Sequence, residues 1–260
     1  MKTPVETIGS TIYNEIASHF PISTASDEFF YFPQVEKQSL DWSVWDRFCP
    51  DFITAFSAKL AAWENEIDPF LSAARSSQPA HYVQLKLVKK MTRTLREQLS
   101  DIRVWETQPS FYLTLTCIGL AQAIERGDRQ ARQRARTLPL FLDQAGKNLN
   151  NVPECFQTLG LEMINHTRAY LTGRAEDLPE LAKGLAALDR FEEKLKTIST
   201  RRGFQMPKPY LAMVVDNHLG SGMTIAQADQ TLDHELDAMQ QVLGRLANGL
   251  GHGTWQAAYE

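Results

Sequence analysis

The chain has 260 residues, of which 43% are hydrophobic and 22% are charged, and its formal net charge is −4. This composition is typical of a globular protein with a hydrophobic core, and it argues against a chain that is disordered throughout. The mild acidity also argues against a dedicated nucleic-acid-binding protein, because such proteins need clustered positive charge to displace counterions from phosphates.

The three cysteines, Cys49, Cys117 and Cys155, stand far apart and form no CxxC pair. They predict buried free thiols in a reducing cytosol, not a disulfide framework or a thiolate zinc site. The first residues lack the apolar core of a secretory signal, and the most apolar run, 111–124, is shorter than the roughly 20 residues that span a bilayer. We therefore expect a cytoplasmic protein with no membrane or nucleic-acid partner.

The N-terminal third predicts helices that are joined by one irregular segment. An opening helix is expected at 5–17. The segment 20–45 is irregular but rich in aromatic residues, so we expect it to pack as an ordered strap across the helices. Apolar residues at steps of three and four then predict a helix over 52–71, with a break ahead of Pro69, whose ring and missing amide disrupt helices.

The middle of the chain continues as helices over 88–102, from Pro109 to near Gly127, and over 128–149. The last of these contains Pro139 and is expected to be kinked or split there.

Two later helix starts look alike, because Asn151 and Asp177 each precede a proline by two residues and a glutamate by three. We expect both side chains to cap the helices that follow, which run to about 171 and 198. The apolar stripe of the first of these helices consists of Phe156, Leu159, Met163 and Tyr170.

The last helix is predicted from about 224 to 250, because Thr224 and Gln227 have the spacing of a capping box. Its apolar positions alternate steps of four and three, which is a heptad pattern. We interpret this seam as one side of an antiparallel hairpin inside a bundle, with a dimeric coiled coil as the alternative. The residues of the seam are Leu232, Leu236, Met239, Leu243, Leu246 and Leu250.

These elements predict an all-α fold. We expect a single helical domain over residues 1–260, built as a multi-helix bundle of about eight to nine helices with the irregular, aromatic-rich strap at 20–45.

The sequence contains no complete catalytic or metal-binding motif. His234 and Glu235 begin an HExxH pattern, but Ala238 stands where the second histidine belongs. His234, Asp237 and a distant histidine leave a scattered metal site open as a hypothesis. There is no GxSxG elbow, no ExxH pair and no phosphate-binding loop. We therefore predict no catalytic, cofactor-binding or metal residue.

One run of basic residues is dense enough to suggest a positively charged patch on the surface of a helix. We interpret it as a solvated helix face whose side-chain stems lie over apolar surface, with an anion or partner site as the alternative. The run consists of Arg126, Arg129, Arg132, Arg134 and Arg136.

Several segments are similar, in the same order, to the bacterial family known as domain of unknown function 885. They are FPISTASDEFFYFP at 20–33, WETQP at 105–109 with the Phe-Tyr pair after it, LPLFL at 138–142 with Asn148-Leu149, and the stretches 187–195 and 223–243. Members of that family are usually much longer and resemble helical zinc carboxypeptidases. Their HExxPGH-type metal motif lies beyond the matched region and has no counterpart in this chain.

The resemblance implies the fold of an N-terminal helical half, with no catalytic or metal residue carried over and with zinc only in a longer parent protein. The function expected from it is a non-catalytic module that walls a substrate cleft, is inactive alone, and has a missing C-terminal half or another protein as its partner. The alternatives are a free-standing helical interaction scaffold, which could form a homo-oligomer, and a hydrolase with the scattered metal site.

Overall fold

The computed structural model of the protein describes residues 4–26, 29, 32, 40–218 and 222–259. Helices dominate these residues, so the predicted all-α class is confirmed. A short parallel bridge joins β1 (Val152–Pro153) to β2 (Thr200–Arg201). The helices are α1 Pro4–His19, α2 Pro21–Ala25, α3 Pro50–Ser77, α4 Pro79–Glu97, α5 Val104–Thr107, α6 Pro109–Arg126, α7 Asp128–Asn148, α8 Glu154–Arg174, α9 Leu181–Thr197, α10 Lys208–Met213, α11 Ile225–Gly249 and α12 Trp255–Tyr259.

The chain divides into two compact units, residues 1–205 with α1 to α9 and residues 206–260 with α10 to α12. The first unit holds the large hydrophobic core. One domain over residues 1–260 stays a prediction, and it depends on whether the first unit folds without the second.

A four-helix bundle forms the centre of the first unit. In it α6 packs on α7 and α8, and α9 packs on the same two helices. The ion pairs Arg132–Glu180 and Asp143–Arg190 join residues 48 and 47 positions apart, so α7 and α9 run parallel. The predicted helix over 128–149 is a single helix, α7, which continues through Pro139.

Small residues bring α8 close to α6. A Cβ atom on Gly160 would lie 2.8 Å from Cβ of Pro109, so the backbone of α8 at Gly160 packs directly against the proline ring at the start of α6. The predicted apolar stripe of α8 is right in part, because Phe156, Met163 and Tyr170 pack against the edge of the core whereas Leu159 is 44% exposed. A prediction that takes only the largest apolar side chains as buried does not identify a helix face on which small residues such as Gly160 pack most closely. The residues of α8 that are buried are Gly160, Ile164, Thr167 and Leu171.

The predicted break ahead of Pro69 is wrong, because α3 runs through this residue. Pro69 is exposed, so the backbone carbonyl that loses its partner can bind water instead. The ion pairs Glu64–Arg96 and Asp68–Lys89 connect α3 to α4 close to the proline. They also show that α3 and α4 are antiparallel, since a later residue of one pairs with an earlier residue of the other.

The helix caps were predicted with mixed success. Asn151 and Asp177 do not cap, since α8 and α9 begin three and four residues later and neither has a side-chain cap. Asn151 instead takes a positive φ of 48° and leads into β1. The capping box of α11 is confirmed, with Gln227 N donating to Thr224 Oγ1 at 3.3 Å and Thr224 N donating to Gln227 Oε1 at 2.9 Å.

The aromatic strap packs against the core where the structure describes it, but it is not irregular throughout, because Pro21–Ala25 form α2. Phe20 lies with its ring centroid 5.2 Å from those of both Phe32 and Phe48. Phe30 and Tyr31 of the strap lie outside the described residues. The large buried side chains of the strap are Phe20, Ile22, Phe29, Phe32, Leu40 and Trp42.

The seam of α11 is exposed. Leu232 is 69%, Met239 59% and Leu250 73% accessible, so its interpretation as the buried side of a hairpin is not confirmed. His234 and Asp237 are exposed as well, on the polar side of the same helix.

The cysteines are free thiols, as the sequence indicated. Their predicted burial is wrong for Cys155, which is exposed in the first turn of α8, and only partly right for Cys49 and Cys117, which are half-buried.

Candidate functional site

A cleft lies between α7 and the segment 41–49, which follows the strap. It contains two cavities, of about 380 Å³ and about 730 Å³, which share Ser43 and Gln133 in their walls. We call this pair of cavities the α7 cleft. Its smaller cavity is apolar and its larger cavity is basic.

Aromatic rings line the apolar cavity. Trp45 stacks on Phe141, with the ring centroids 4.7 Å apart and the planes inclined by 16°. Tyr112 meets Phe141 edge-on, with the centroids 5.7 Å apart. Leu140 lines the same cavity and is 70% exposed. The cavity therefore offers flat and aliphatic apolar surface that solvent can reach.

Arg134 fixes the wall of the apolar cavity from inside the bundle. This side chain is fully buried, and its guanidinium donates to the carbonyl of Gly119 and, at 2.8 Å, to the carbonyl of Val44. The Arg134 carbonyl in turn accepts from Trp45 Nε1 at 2.9 Å. Burial lowers the pKa of Arg134 to about 10, although the charge of Asp46 acts against this shift. Arg134 thus connects α6, α7 and the segment 41–49.

Asp46 anchors the same segment to the start of α2. Its Oδ1 accepts from the amide of Ile22 at 2.7 Å, and its Oδ2 accepts from the amide of Ser23 at 2.9 Å and from the Ser23 hydroxyl. Burial raises the pKa of Asp46 to about 6, while these hydrogen bonds and the charge of Arg134 act in the opposite direction. The carboxyl group accepts hydrogen bonds from amides in the first turn of α2 that have no partner within the helix, as the side chain of a capping residue does.

A chain of hydrogen bonds holds Tyr112 behind the cavity. Gln144 Nε2 donates to Asn148 Oδ1 at 2.8 Å, and Asn148 Nδ2 donates to the Tyr112 hydroxyl at 2.8 Å and to the carbonyl of Phe48. The Tyr112 hydroxyl donates to the carbonyl of Trp105 at 2.7 Å. Burial raises the pKa of Tyr112, so this hydroxyl stays protonated and serves to position the wall.

Three arginines of α7 line the basic cavity: Arg129, Arg132 and Arg136. Arg132 and Arg136 both pair with Glu180, at 3.3 and 3.2 Å. Arg129 has no acidic partner among the described residues. The three arginines carry three positive charges, and Asp41 of the cavity wall and Glu180 carry two negative charges. One positive charge is therefore in excess.

The predicted solvated arginine face is right in part. Arg134 is an exception, because it lies two residues, or about 200°, around the helix from Arg132. Its neighbours on the buried side are Ala131 and Ala135, and this register was the signal in the sequence that could have placed it. The arginines that are exposed or half-exposed are Arg126, Arg129, Arg132 and Arg136.

Sequence reasoning did not find Trp45, Asp46, Tyr112 or Asn148 as residues of a site. No spacing along the chain indicates that the segment 41–49 meets α6 and α7, because this contact arises only in the packed bundle.

The hypothetical metal site gains no support from the described residues. Among them, no group of three or more His, Cys, Asp and Glu side chains could hold a metal ion. His234 and Asp237 belong to no such group. Nor is any helix in the described ranges long and apolar enough to cross a membrane.

Comparison with known proteins gives a likeness of fold. No family model matches the sequence, and no curated protein matches it. A solved structure shares its fold. This is a putative lipoprotein of unknown function from Shewanella oneidensis, with a TM-score of 0.67 and 13% sequence identity. The match covers 96% of this chain and 48% of that chain, so the present chain spans about half the length of its structural neighbour.

Proposed function

We propose that the chain is a non-catalytic helical module that forms one half of a longer helical protein and contributes the α7 cleft as a wall of its substrate-binding site. One observation carries the proposal: 96% of this chain superimposes on 48% of a longer chain with a TM-score of 0.67. The segments that resemble domain of unknown function 885 favour the N-terminal half of a metallopeptidase-like protein. In that arrangement the zinc chemistry belongs to the other half, and no residue of this chain is catalytic.

Exposed apolar side chains support a module that needs a partner. Val83 and Leu87, one helical turn apart on α4, are 65% and 54% exposed. The seam of α11 adds further apolar surface. Large apolar side chains that gather on exposed faces are typical of surfaces that another protein segment covers.

The mass of the endogenous protein tests this proposal. An immunoblot of the source cells with an antibody against this chain is expected to detect a product much heavier than 29.4 kDa. A major product of about this mass, stable in the presence of protease inhibitors, would contradict the proposal and direct the search to separate protein partners.

A homodimeric scaffold is the second candidate, and the exposed heptad seam of α11 favours it. Sedimentation equilibrium would then show a concentration-dependent dimer that Leu236→Lys abolishes. Gln241→Lys is the matched control, because Gln241 is exposed on the opposite side of α11. A protein that is monomeric at every concentration, or a dimer that survives Leu236→Lys, would exclude the seam as the contact.

A further inference from the structure

We infer that the α7 cleft binds a small amphipathic carboxylate, whose apolar body lies in the aromatic cavity and whose acid group lies on the arginines of α7. The inference deepens the proposed function by naming the class of ligand. It rests on the cleft being a binding surface, and it does not depend on the length of the parent protein.

The apolar cavity suits the body of such a ligand. Its volume, about 380 Å³, lies within the range of small-molecule sites. The Arg134 carbonyl holds the ring of Trp45, which stacks on Phe141, and Asn148 holds Tyr112, which packs edge-on against Phe141 from behind. A rigid apolar wall of this kind binds without losing side-chain freedom, which favours affinity.

The acid group is directed to the other cavity by charge. Asp46 and Arg47 both line the apolar cavity, so its ionised side chains balance each other and give it no excess positive charge. The arginines of the basic cavity attract a carboxylate, and Arg129 is available because it has no acidic partner among the described residues. A guanidinium group can hold a carboxylate through two parallel hydrogen bonds.

The charge balance favours a carboxylate over a doubly charged phosphate. Three arginines face Asp41 and Glu180, so a single negative charge neutralises the basic cavity. A phosphate dianion would leave an excess negative charge beside these two carboxylates.

The two cavities lie at a distance that one small molecule can span. The α7 residues that line the basic cavity lie between 129 and 136, and those that line the apolar cavity lie between 133 and 144. Gln133 lines both cavities. The midpoints of these ranges are six residues apart, which corresponds to about 9 Å along the helix. The ten-carbon chain of decanoate is long enough to reach from one to the other.

Calorimetric titration of the whole chain with four probes tests the inference. Decanoate is expected to bind, and decanol, acetate and decyl phosphate are each expected to bind at least about tenfold more weakly. Decanol lacks the acid group, acetate lacks the apolar body, and decyl phosphate carries the second charge.

Matched variants test each end of the ligand separately. Arg129→Gln should weaken decanoate binding about tenfold, whereas Lys147→Gln, which removes an exposed charge outside the cleft on the same helix, should leave it unchanged. Leu140→Ser should weaken binding about threefold or more, whereas Leu159→Ser on α8 should not. All four positions are exposed, so these variants are expected to fold.

Several results would overturn the inference. They are the absence of any decanoate binding at millimolar concentration, equal binding of decanol, tighter binding of decyl phosphate, and equal effects of a cleft variant and its control. None of them touches the module proposal, which the immunoblot decides, and a short endogenous product would leave a measured decanoate site intact.

Discussion

Asp46 and Arg134 are buried charges that each organise backbone from a different element. Asp46 accepts from amides at the start of α2, and Arg134 donates to carbonyls of α6 and of the segment 41–49. A buried charge pair contributes little net stability when it is compared with apolar residues of the same shape, because both groups must lose their hydration. Removal of one member alone is costly, since the other charge and its partners then stay buried without compensation.

The pKa of Asp46 predicts a pH dependence of stability. Its pKa is about 6 in the folded protein and 3.8 when exposed, so the folded state binds the proton more tightly. The stability that this group contributes is complete only below pH 3.8, and about 2 kcal/mol of it is lost as the pH rises from 4 through 6 to 7. Urea unfolding should show the advantage of the wild type over Asp46→Asn shrinking by this amount between pH 4 and pH 7.

The exposed Asp177 provides the control for this experiment, because burial plays no part there. Asp177→Asn, which changes an exposed side chain, should alter the free energy of unfolding by less than about 0.5 kcal/mol. A wild-type advantage over Asp46→Asn that is constant with pH would show that the Asp46 carboxyl is not buried as the structure has it.

Arg134→Met should destabilise the protein by about 3–5 kcal/mol. The substitution takes away the side-chain donors of the Gly119 and Val44 carbonyls and leaves Asp46 without its nearby positive charge. Arg136→Met on the same helix removes an exposed side chain from an ion pair and should cost under about 1 kcal/mol. Urea denaturation followed by circular dichroism measures both values, and similar losses for the two variants would contradict the buried role of Arg134.

At the scale of whole elements, glycines allow close contacts between helices. Gly184 of α9 would place a Cβ atom 2.6 Å from Cδ2 of Leu138 on α7, and Gly160 of α8 meets Pro109 in a similar way. Such positions fix how near two helices lie, and therefore also the width of the bundle beside the α7 cleft.

Two glycines of α8 give a matched test of this packing. Gly160→Ala should lower the free energy of unfolding by about 1–2 kcal/mol, because a rigid proline ring and Leu195 must move to admit the methyl group. Gly173→Ala, in the same helix with no atom within 4 Å of the new methyl, should raise it by up to about 1 kcal/mol. Stabilisation by both substitutions would mean that α6 and α8 are further apart than the structure shows.

The sequence predicted most helices because their signals are local. Apolar spacing and Pro109 at a helix start gave α6, and the capping box of Thr224 gave the start of α11. The errors arose where tertiary contacts decide. Pro69 is tolerated in α3, where ion pairs to α4 hold the turn just ahead of it, and Arg134 is buried because carbonyls of two other elements accept from its guanidinium.

At the scale of the whole molecule, the α7 cleft could not have been predicted from the sequence. Its walls come from residues 41–49 and from α6 and α7, which are up to about 100 positions apart in the chain. The arginine run did indicate an anion site as an alternative, because a cluster of charged residues can be recognised in the sequence before the fold is known. The apolar cavity gave no such signal. In the sequence Trp45 and Phe141 look like ordinary core residues, and only the structure shows that the stacked rings also line a cavity.

The division of the chain into two units leads to a prediction about folding. The large core cluster consists of residues between 12 and 195, all of them in the unit 1–205. A chain that ends at Gln205 keeps that core and is expected to unfold in one cooperative transition, with a midpoint in urea close to that of the first unit in the whole chain.

Circular dichroism in the near ultraviolet measures the packing of the aromatic residues during this unfolding. If the shorter chain retains the aromatic signal and the sharp transition, the first unit is a domain and residues 206–260 are an addition to it. If it loses both, the core depends on the second unit, and the single domain over residues 1–260 predicted from the sequence is correct. A shorter chain that also binds decanoate as the whole chain does would place the α7 cleft within a domain that is complete on its own.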